Sequence, residues 1–195
     1  MRLYWVMPIM DKFKGKYRIP SARWAAWDYS SNAAYFVTIC VANRAHDFGE
    51  ITDSGMTLSP LGQSALVCWN EIPAHFPFVE LGEFIVMPNH VHGIVVINKP
   101  VSDAIVETQN IASLRNGPKN RFGPQSQNLA SIVRGYKIGV TKFARQNGIP
   151  FVWQARYYDH VIRNMGEYER IYQYILDNPQ KWKEDEYNAL QVNQD

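Results

Sequence analysis

The chain has 195 residues, of which 46% are hydrophobic and 13% aromatic, enough for one packed domain with appendages. A formal net charge of +2 does not indicate a nucleic-acid partner, so any basic surface must come from local clustering. No apolar run is long enough to span a bilayer, and Cys40 and Cys68 lie in apolar surroundings typical of buried reduced thiols. The first ten residues do not resemble a signal peptide, so we expect a cytoplasmic protein with no membrane partner.

The first 43 residues divide into an irregular arm and a buried strand. Residues 1–32 predict an arm that either packs on the domain surface or contacts phosphates, and its composition favours neither. Residues 33–43 are β-branched and aromatic, which predicts the strand. The notable cationic and aromatic residues of the arm are Lys12, Lys14, Lys16, Arg18, Arg23, Trp24 and Trp27.

A helix and a hairpin are predicted next. After turn residues at Asp47, Gly49, Asp53 and Gly55, Ser59 is typical of a helix N-cap and Pro60 of the first helical position. We expect this helix to end near Pro73. Residues 78–87 and 90–97 predict two strands, and the turn residues Pro88 and Asn89 between them indicate an antiparallel hairpin.

The C-terminal half begins with residues 99–127, which lack periodicity and predict a long mobile loop. Residues 128–147 predict an amphipathic helix, residues 151–162 a fourth strand, and residues 164–178 a last helix with Glu167 as the capping-box partner of Asn164. Residues 183–195 form a tail. The order β-α-β-β-α-β predicts an α+β, ferredoxin-like split βαβ fold over 33–182: a four-stranded antiparallel sheet, plus an extra C-terminal helix.

Two histidines in the third strand are the first chemical feature. A strand repeats every two residues, so His90 and His92 point to the same face. Taken singly, such a pair is more often two unrelated polar residues. Here it lies in the most apolar region of the chain, where burying two imidazoles is costly unless they bind something. We therefore expect a divalent metal site.

The last helix supplies the second feature. Tyr174 and Asn178 are four residues apart and share one face, so an amide oxygen could complete the metal coordination while a phenol lies beside it. A tyrosine at helical spacing is usually part of a core, and Tyr174 in isolation would be a weak candidate.

Five segments together resemble the IS200-like single-tyrosine transposases, and among them the REP-associated branch. They are FVTI at 36–39, MPNHVHGI at 87–94, VWQ at 152–154, YYDHVIR at 157–163 and YILDNP at 174–179. The resemblance covers roughly residues 33–182. It implies a ferredoxin-like fold, His90 and His92 as metal ligands, and Tyr174 as the catalytic nucleophile. Asn178 stands where the IS200 type has a glutamine ligand. An asparagine at this place is what the REP-associated branch carries.

The resemblance also implies chemistry and partners. It predicts a DNA endonuclease and strand transferase that depends on Mg²⁺ or Mn²⁺ and forms a 5′-phosphotyrosine on single-stranded or hairpin DNA such as REP elements. A monomer and a homodimer both remain open. Candidate DNA contacts are Arg134, Lys137, Lys142, Arg145, Arg156 and Arg163. Without the resemblance, an ordinary solvated face would be the preferred interpretation of the four helix residues.

Some side chains and some functions stay ambiguous. Trp153 and Tyr157 could stack on bases or belong to the core, and His46 and His160 are not predicted ligands. A non-catalytic nucleic-acid-binding module of the same topology is one alternative function. A metal phosphodiesterase that activates water in place of tyrosine is another.

Overall fold

A computed structural model of the protein describes residues 27–52, 55–100 and 126–182. Most of the predicted arm, nearly all of the predicted loop over 99–127 and the predicted tail over 183–195 lie outside these residues. The described strands are β1 Ala33–Cys40, β2 Gly49–Thr52, β3 Gly55–Leu58, β4 Val79–Met87, β5 His90–Ile97 and β6 Tyr158–Ile162. The described helices are α1 Pro60–Asn70, α2 Ile72–His75, α3 Leu129–Gln146 and α4 Met165–Asp177.

The main sheet has four strands in the order β4-β5-β1-β6, and every neighbouring pair is antiparallel. Helix α1 lies between β1 and β4 in the chain, and α3 lies between β5 and β6. This order and these connections are those of the ferredoxin-like split βαβ fold, so the predicted fold class is confirmed.

The two faces of the sheet bury different residues. On one face, Val37, Val91 and Val95 pack with buried residues of α1 and α3 in the larger core. On the other face, Phe36 and Ile94 join a smaller cluster that includes Ile162 of β6 and Ile171 and Ile175 of α4. Helix α4 therefore covers the face opposite α1 and α3. His90 and His92 alternate with Val91, so they lie on the α4 face.

A second, two-stranded sheet departs from the sequence prediction. Strands β2 and β3 pair antiparallel over 49–52 and 55–58, where turns alone were predicted. The glycines that suggested turns, Gly49 and Gly55, instead begin these strands, with φ of 137° and 106°. Such angles are open to glycine at little cost, which lets the chain enter each short strand sharply.

Some predicted element ends also differ. β1 stops at Cys40, three residues early, because a 3₁₀ turn over Ala42–Arg44 follows. β6 covers only the end of the predicted fourth strand, and Trp153 makes just an isolated bridge to Val41. A short helix, α2, with Pro73 in its first turn, follows α1.

The helix caps explain where the helices start. Ser59 accepts a hydrogen bond from the Gly62 amide at the start of α1, as predicted. Asn164 caps α4 through the Glu167 amide, but the Glu167 side chain accepts from the amide of Arg163 and contacts His160. The predicted capping box was therefore wrong in its second half. Among the described residues, no helix has the length and apolar character needed to cross a bilayer.

Candidate active site

The two histidines of β5 form a buried, uncharged pair. His90 is 0% exposed and His92 is 1% exposed, and their Nε2 atoms are 3.0 Å apart. Burial lowers the pKa of His92 to about 3. Burial, and the repulsion that would arise if both rings were protonated, lower the pKa of His90 well below its usual value. Both imidazoles are therefore neutral at physiological pH, the state in which histidine binds metals.

Each imidazole is held at its other nitrogen. His90 Nδ1 is 2.8 Å from Asn89 Oδ1, and His92 Nδ1 is 2.9 Å from Thr38 Oγ1. Asn89 and Thr38 are themselves buried. These contacts direct both Nε2 atoms to one point. Partners of this kind orient the ligands in protein metal sites.

Helix α4 brings Tyr174 to the same point. The Tyr174 hydroxyl is 3.4 Å from His92 Nε2, while the side chain remains 43% exposed. Phe36 stacks on the His92 ring with centroids 5.4 Å apart and meets the Tyr174 ring edge-on at 6.0 Å. Phe36 therefore contacts both the His92 ring and the Tyr174 ring. Tyr174 and His92, which are 82 positions apart in the sequence, lie next to each other.

Asn178 ends the same helix and is buried. Its Oδ1 atom has no hydrogen-bond partner among the described residues, which is costly for a buried amide oxygen unless a ligand binds it. The described ranges contain no group of three His, Cys, Asp or Glu able to hold an ion. Two imidazoles, an amide oxygen and water molecules would nevertheless suit Mn²⁺ or Mg²⁺.

Residues near the histidines that the sequence analysis did not select are Thr38, Phe36, Asn89 and Trp182. The Trp182 ring is buried, with its centroid 6.0 Å from that of His90. Thr38 and Phe36 are two residues apart in β1, so the strand period predicts that they share one face of the sheet. Only the pairing of β1 with β5 shows that Thr38 lies directly opposite His92.

Four of the predicted DNA contacts line a groove on the other face of the sheet. A cavity of about 680 Å³ runs between α3 and residues 155–157, and its cationic residues are Arg134, Lys137, Lys142 and Arg145. Since α3 and α4 pack on opposite faces, this basic groove is separated from Tyr174 by the sheet.

The part of the chain that forms the groove carries charge of one sign. Residues 126–158 contain no Asp or Glu, although the whole chain has 18 of them. The same stretch contains five cations: Arg134, Lys137, Lys142, Arg145 and Arg156. An ordinary solvated helix face mixes both signs, so this segregation favours an anionic partner for α3.

Lys137 differs from the other three groove cations. Its Nζ donates to the carbonyl oxygens of Gln154 at 2.8 Å and Arg156 at 3.4 Å, and lies over the Trp153 ring. Burial lowers the pKa of Lys137 to about 8. Lys137 therefore fixes the path of residues 154–156 along the groove.

The remaining candidates fall in different places. Arg156 is exposed beside the groove, but Arg163 lies between β6 and α4, away from it. Trp153 packs against aromatic rings of the core, including Phe48, while Tyr157 lines the groove. His160 pairs with Glu167 at 2.8 Å.

Comparisons with known proteins give the family and the fold. No family model matches the chain. An uncharacterized protein of Haemophilus influenzae (strain ATCC 51907 / DSM 11121 / KW20 / Rd) is 40% identical over 167 residues, which is 85% of this chain and 91% of that protein. The solved structure of a REP-associated tyrosine transposase bound to a REP hairpin is 20% identical, with a TM-score of 0.54 over 84% of this chain and 74% of that one. The chain therefore belongs to the family of the Haemophilus influenzae protein, and its domain shares the fold of that REP-associated tyrosine transposase.

Proposed function

We propose that the protein is a metal-dependent endonuclease and strand transferase for single-stranded DNA, with Tyr174 as the nucleophile. The observation that carries the proposal is the 3.4 Å approach of the Tyr174 hydroxyl to the neutral His90 and His92 pair. A tyrosine in a core would be buried, whereas Tyr174 is 43% exposed and can reach a bound strand. The shared fold with a tyrosine transposase supports the same reading.

The reaction we propose is phosphoryl transfer through a covalent intermediate. The Tyr174 oxygen attacks the scissile phosphorus, forming a Tyr–O–P bond as the bond to the 3′ oxygen breaks. The phenol proton passes to solvent, and the departing oxygen takes up a proton to become a 3′-hydroxyl. The products are a 5′-phosphotyrosine and a free 3′ end, so a second 3′-hydroxyl can reverse the step without ATP.

His90, His92 and Asn178 are the residues that would hold a divalent cation. The neutral imidazoles and the unpartnered Asn178 oxygen support this assignment. When bound, Mn²⁺ or Mg²⁺ would supply electrostatic stabilisation of the charge that develops on the phosphate. Phe36 contacts both the His92 ring and the Tyr174 ring and so helps to hold them beside each other.

The basic groove supports a role in holding DNA. Arg134, Lys142 and Arg145 are exposed cations on α3, and phosphate contacts of this kind are independent of base sequence. The groove lies across the sheet from Tyr174, so we propose that it holds a part of the DNA remote from the scissile bond. The transposase of similar fold was solved with a REP hairpin, and we propose hairpin DNA as the substrate here.

A labelled-oligonucleotide assay tests the tyrosine. A hairpin carrying a single-stranded flank and a 3′-end label is incubated with Mn²⁺ and either wild-type protein or Tyr174→Phe. We expect the wild type to cleave the strand and retain the label covalently, and Tyr174→Phe to lose both activities. Tyr172→Phe is the matched control, because Tyr172 lies on the same helix and is similarly exposed, at 40%.

The same assay separates the alternatives. Continued cleavage by Tyr174→Phe, without a protein adduct, would indicate a phosphodiesterase that activates water. Binding with no metal-dependent cleavage by the wild type, over a panel of hairpins with varied flanks, would indicate a nucleic-acid-binding module. Either result would refute the tyrosine mechanism.

A further inference from the structure

Building on the proposed metal site, we infer that Thr38 is a positioning residue. Its hydroxyl holds the His92 imidazole with Nε2 turned toward the place where a divalent cation would bind. The contact of Thr38 with the other ring nitrogen, Nδ1, carries the inference.

His90 has a fixed partner. The Asn89 side-chain nitrogen donates to the carbonyl oxygen of Arg44 at 3.2 Å, so the amide oxygen is the end that faces His90. An amide oxygen only accepts hydrogen bonds. His90 Nδ1 therefore carries the ring hydrogen of the neutral imidazole, and His90 Nε2 has a lone pair.

His92 is held in the same way by a different group. Its Nδ1 is 2.9 Å from the Thr38 hydroxyl oxygen, which can accept a hydrogen bond from an imidazole N–H. With the ring hydrogen on Nδ1, the lone pair of His92 Nε2 lies 3.0 Å from His90 Nε2, so both nitrogens can face one cation.

A cation held by both histidines needs a lone pair on each Nε2, so the hydrogen of His92 has to be on Nδ1. The Thr38 hydroxyl oxygen is the acceptor that this hydrogen needs.

The position of Thr38 suits this role. Thr38 is opposite His92 in the β1–β5 register and opposite Tyr158 in the β1–β6 register, so the backbone is held on both sides. Valine has the same branched shape but offers neither a donor nor an acceptor, whereas serine keeps both.

Metal affinity measures the contribution of Thr38. Binding of Mn²⁺, without DNA, is followed by the electron paramagnetic resonance signal of the free ion for wild type, Thr38→Val and Thr38→Ser. We expect Thr38→Val to bind Mn²⁺ about 10- to 100-fold more weakly, because the non-ligating nitrogen of His92 loses its hydrogen-bond partner. Thr38→Ser should recover most of the affinity. Thr57→Val, an exposed change in β3, is the matched control and should bind as the wild type does.

Nitrogen-15 NMR of the imidazoles reads the tautomer directly. With Mg²⁺ bound, we expect His92 of the wild type to be protonated at Nδ1. Protonation at Nε2 with Mg²⁺ bound would refute the positioning role. Equal Mn²⁺ affinities of wild type and Thr38→Val would refute the role of Thr38 and leave the proposed function intact. A wild type that binds no Mn²⁺ would refute the proposed metal site itself.

Discussion

Truncating Ile175 should release α4 from the sheet and separate Tyr174 from the histidines. Ile171 and Ile175 are the buried residues of α4, and Ile175 is 0% exposed. They pack into the smaller cluster with Phe36, Ile94 and Ile162. One side chain therefore makes up a large share of what attaches the tyrosine helix.

The expected magnitude follows from the atoms removed. Ile175→Ala deletes three buried carbons, worth roughly 2.4 kcal/mol at about 0.8 kcal/mol each, and the remaining cavity raises the cost to about 3 kcal/mol. That energy corresponds to a change of roughly 150-fold in the equilibrium between docked and undocked α4. The larger core on the opposite face, with α1 and α3, is untouched.

Hydrogen exchange followed by mass spectrometry or NMR measures this opening. We expect the α4 amides of Ile175→Ala to exchange about 100-fold faster while amides of β1 and β5 change much less. Strand cleavage should fall as well. Ile138→Ala is the control, because it makes the same substitution within a helix, at a residue that is 59% exposed. If α4 and β5 amides accelerate equally, or if α4 exchange matches that of the control, our account of α4 docking is wrong.

Three further predictions concern other parts of the domain. Gly93→Ala should lower the unfolding free energy by about 1–3 kcal/mol, because the added Cβ would collide with the buried Trp69 ring; an unchanged melting temperature would contradict this. The double variant Arg134→Gln/Arg145→Gln should weaken hairpin binding, because two phosphate contacts are lost. The slope of log affinity against log salt concentration should fall by about 2, and an unchanged slope would exclude such contacts. Burial holds the pKa of Lys137 at about 8, below its ordinary 10.5, so between these values the unfolded chain keeps a proton that the folded chain has released. Stability measured by urea unfolding should therefore rise with pH across this window more in the wild type than in Lys137→Met, and parallel pH profiles would show that Lys137 is not the cause.

Local patterns were sufficient for most of the elements and for two shared faces. The strand period of two put His90 and His92 on one side of β5, and helical spacing put Tyr174 and Asn178 on one face of α4. The order of the elements predicted the sheet, since few connections of a β-α-β-β-α-β chain are compatible with short, right-handed crossovers. The β2–β3 hairpin was missed because its glycines are as typical of turns as of sharp strand entries.

The contact between the histidine face of β5 and the Tyr174 face of α4 depends on packing between residues distant in sequence. Which side of the sheet α4 covers follows from the apolar cluster around Phe36 and Ile175, and no local pattern encodes that choice. The place of Thr38 beside His92 follows from the β1–β5 register, and a shift of one residue would turn it to the other face. The basic groove and the burial of the Lys137 ammonium likewise arise where α3 meets residues 154–157. Periodicity fixes the direction of each side chain within its own element, whereas distances between elements are set by the burial of apolar surface across the whole domain.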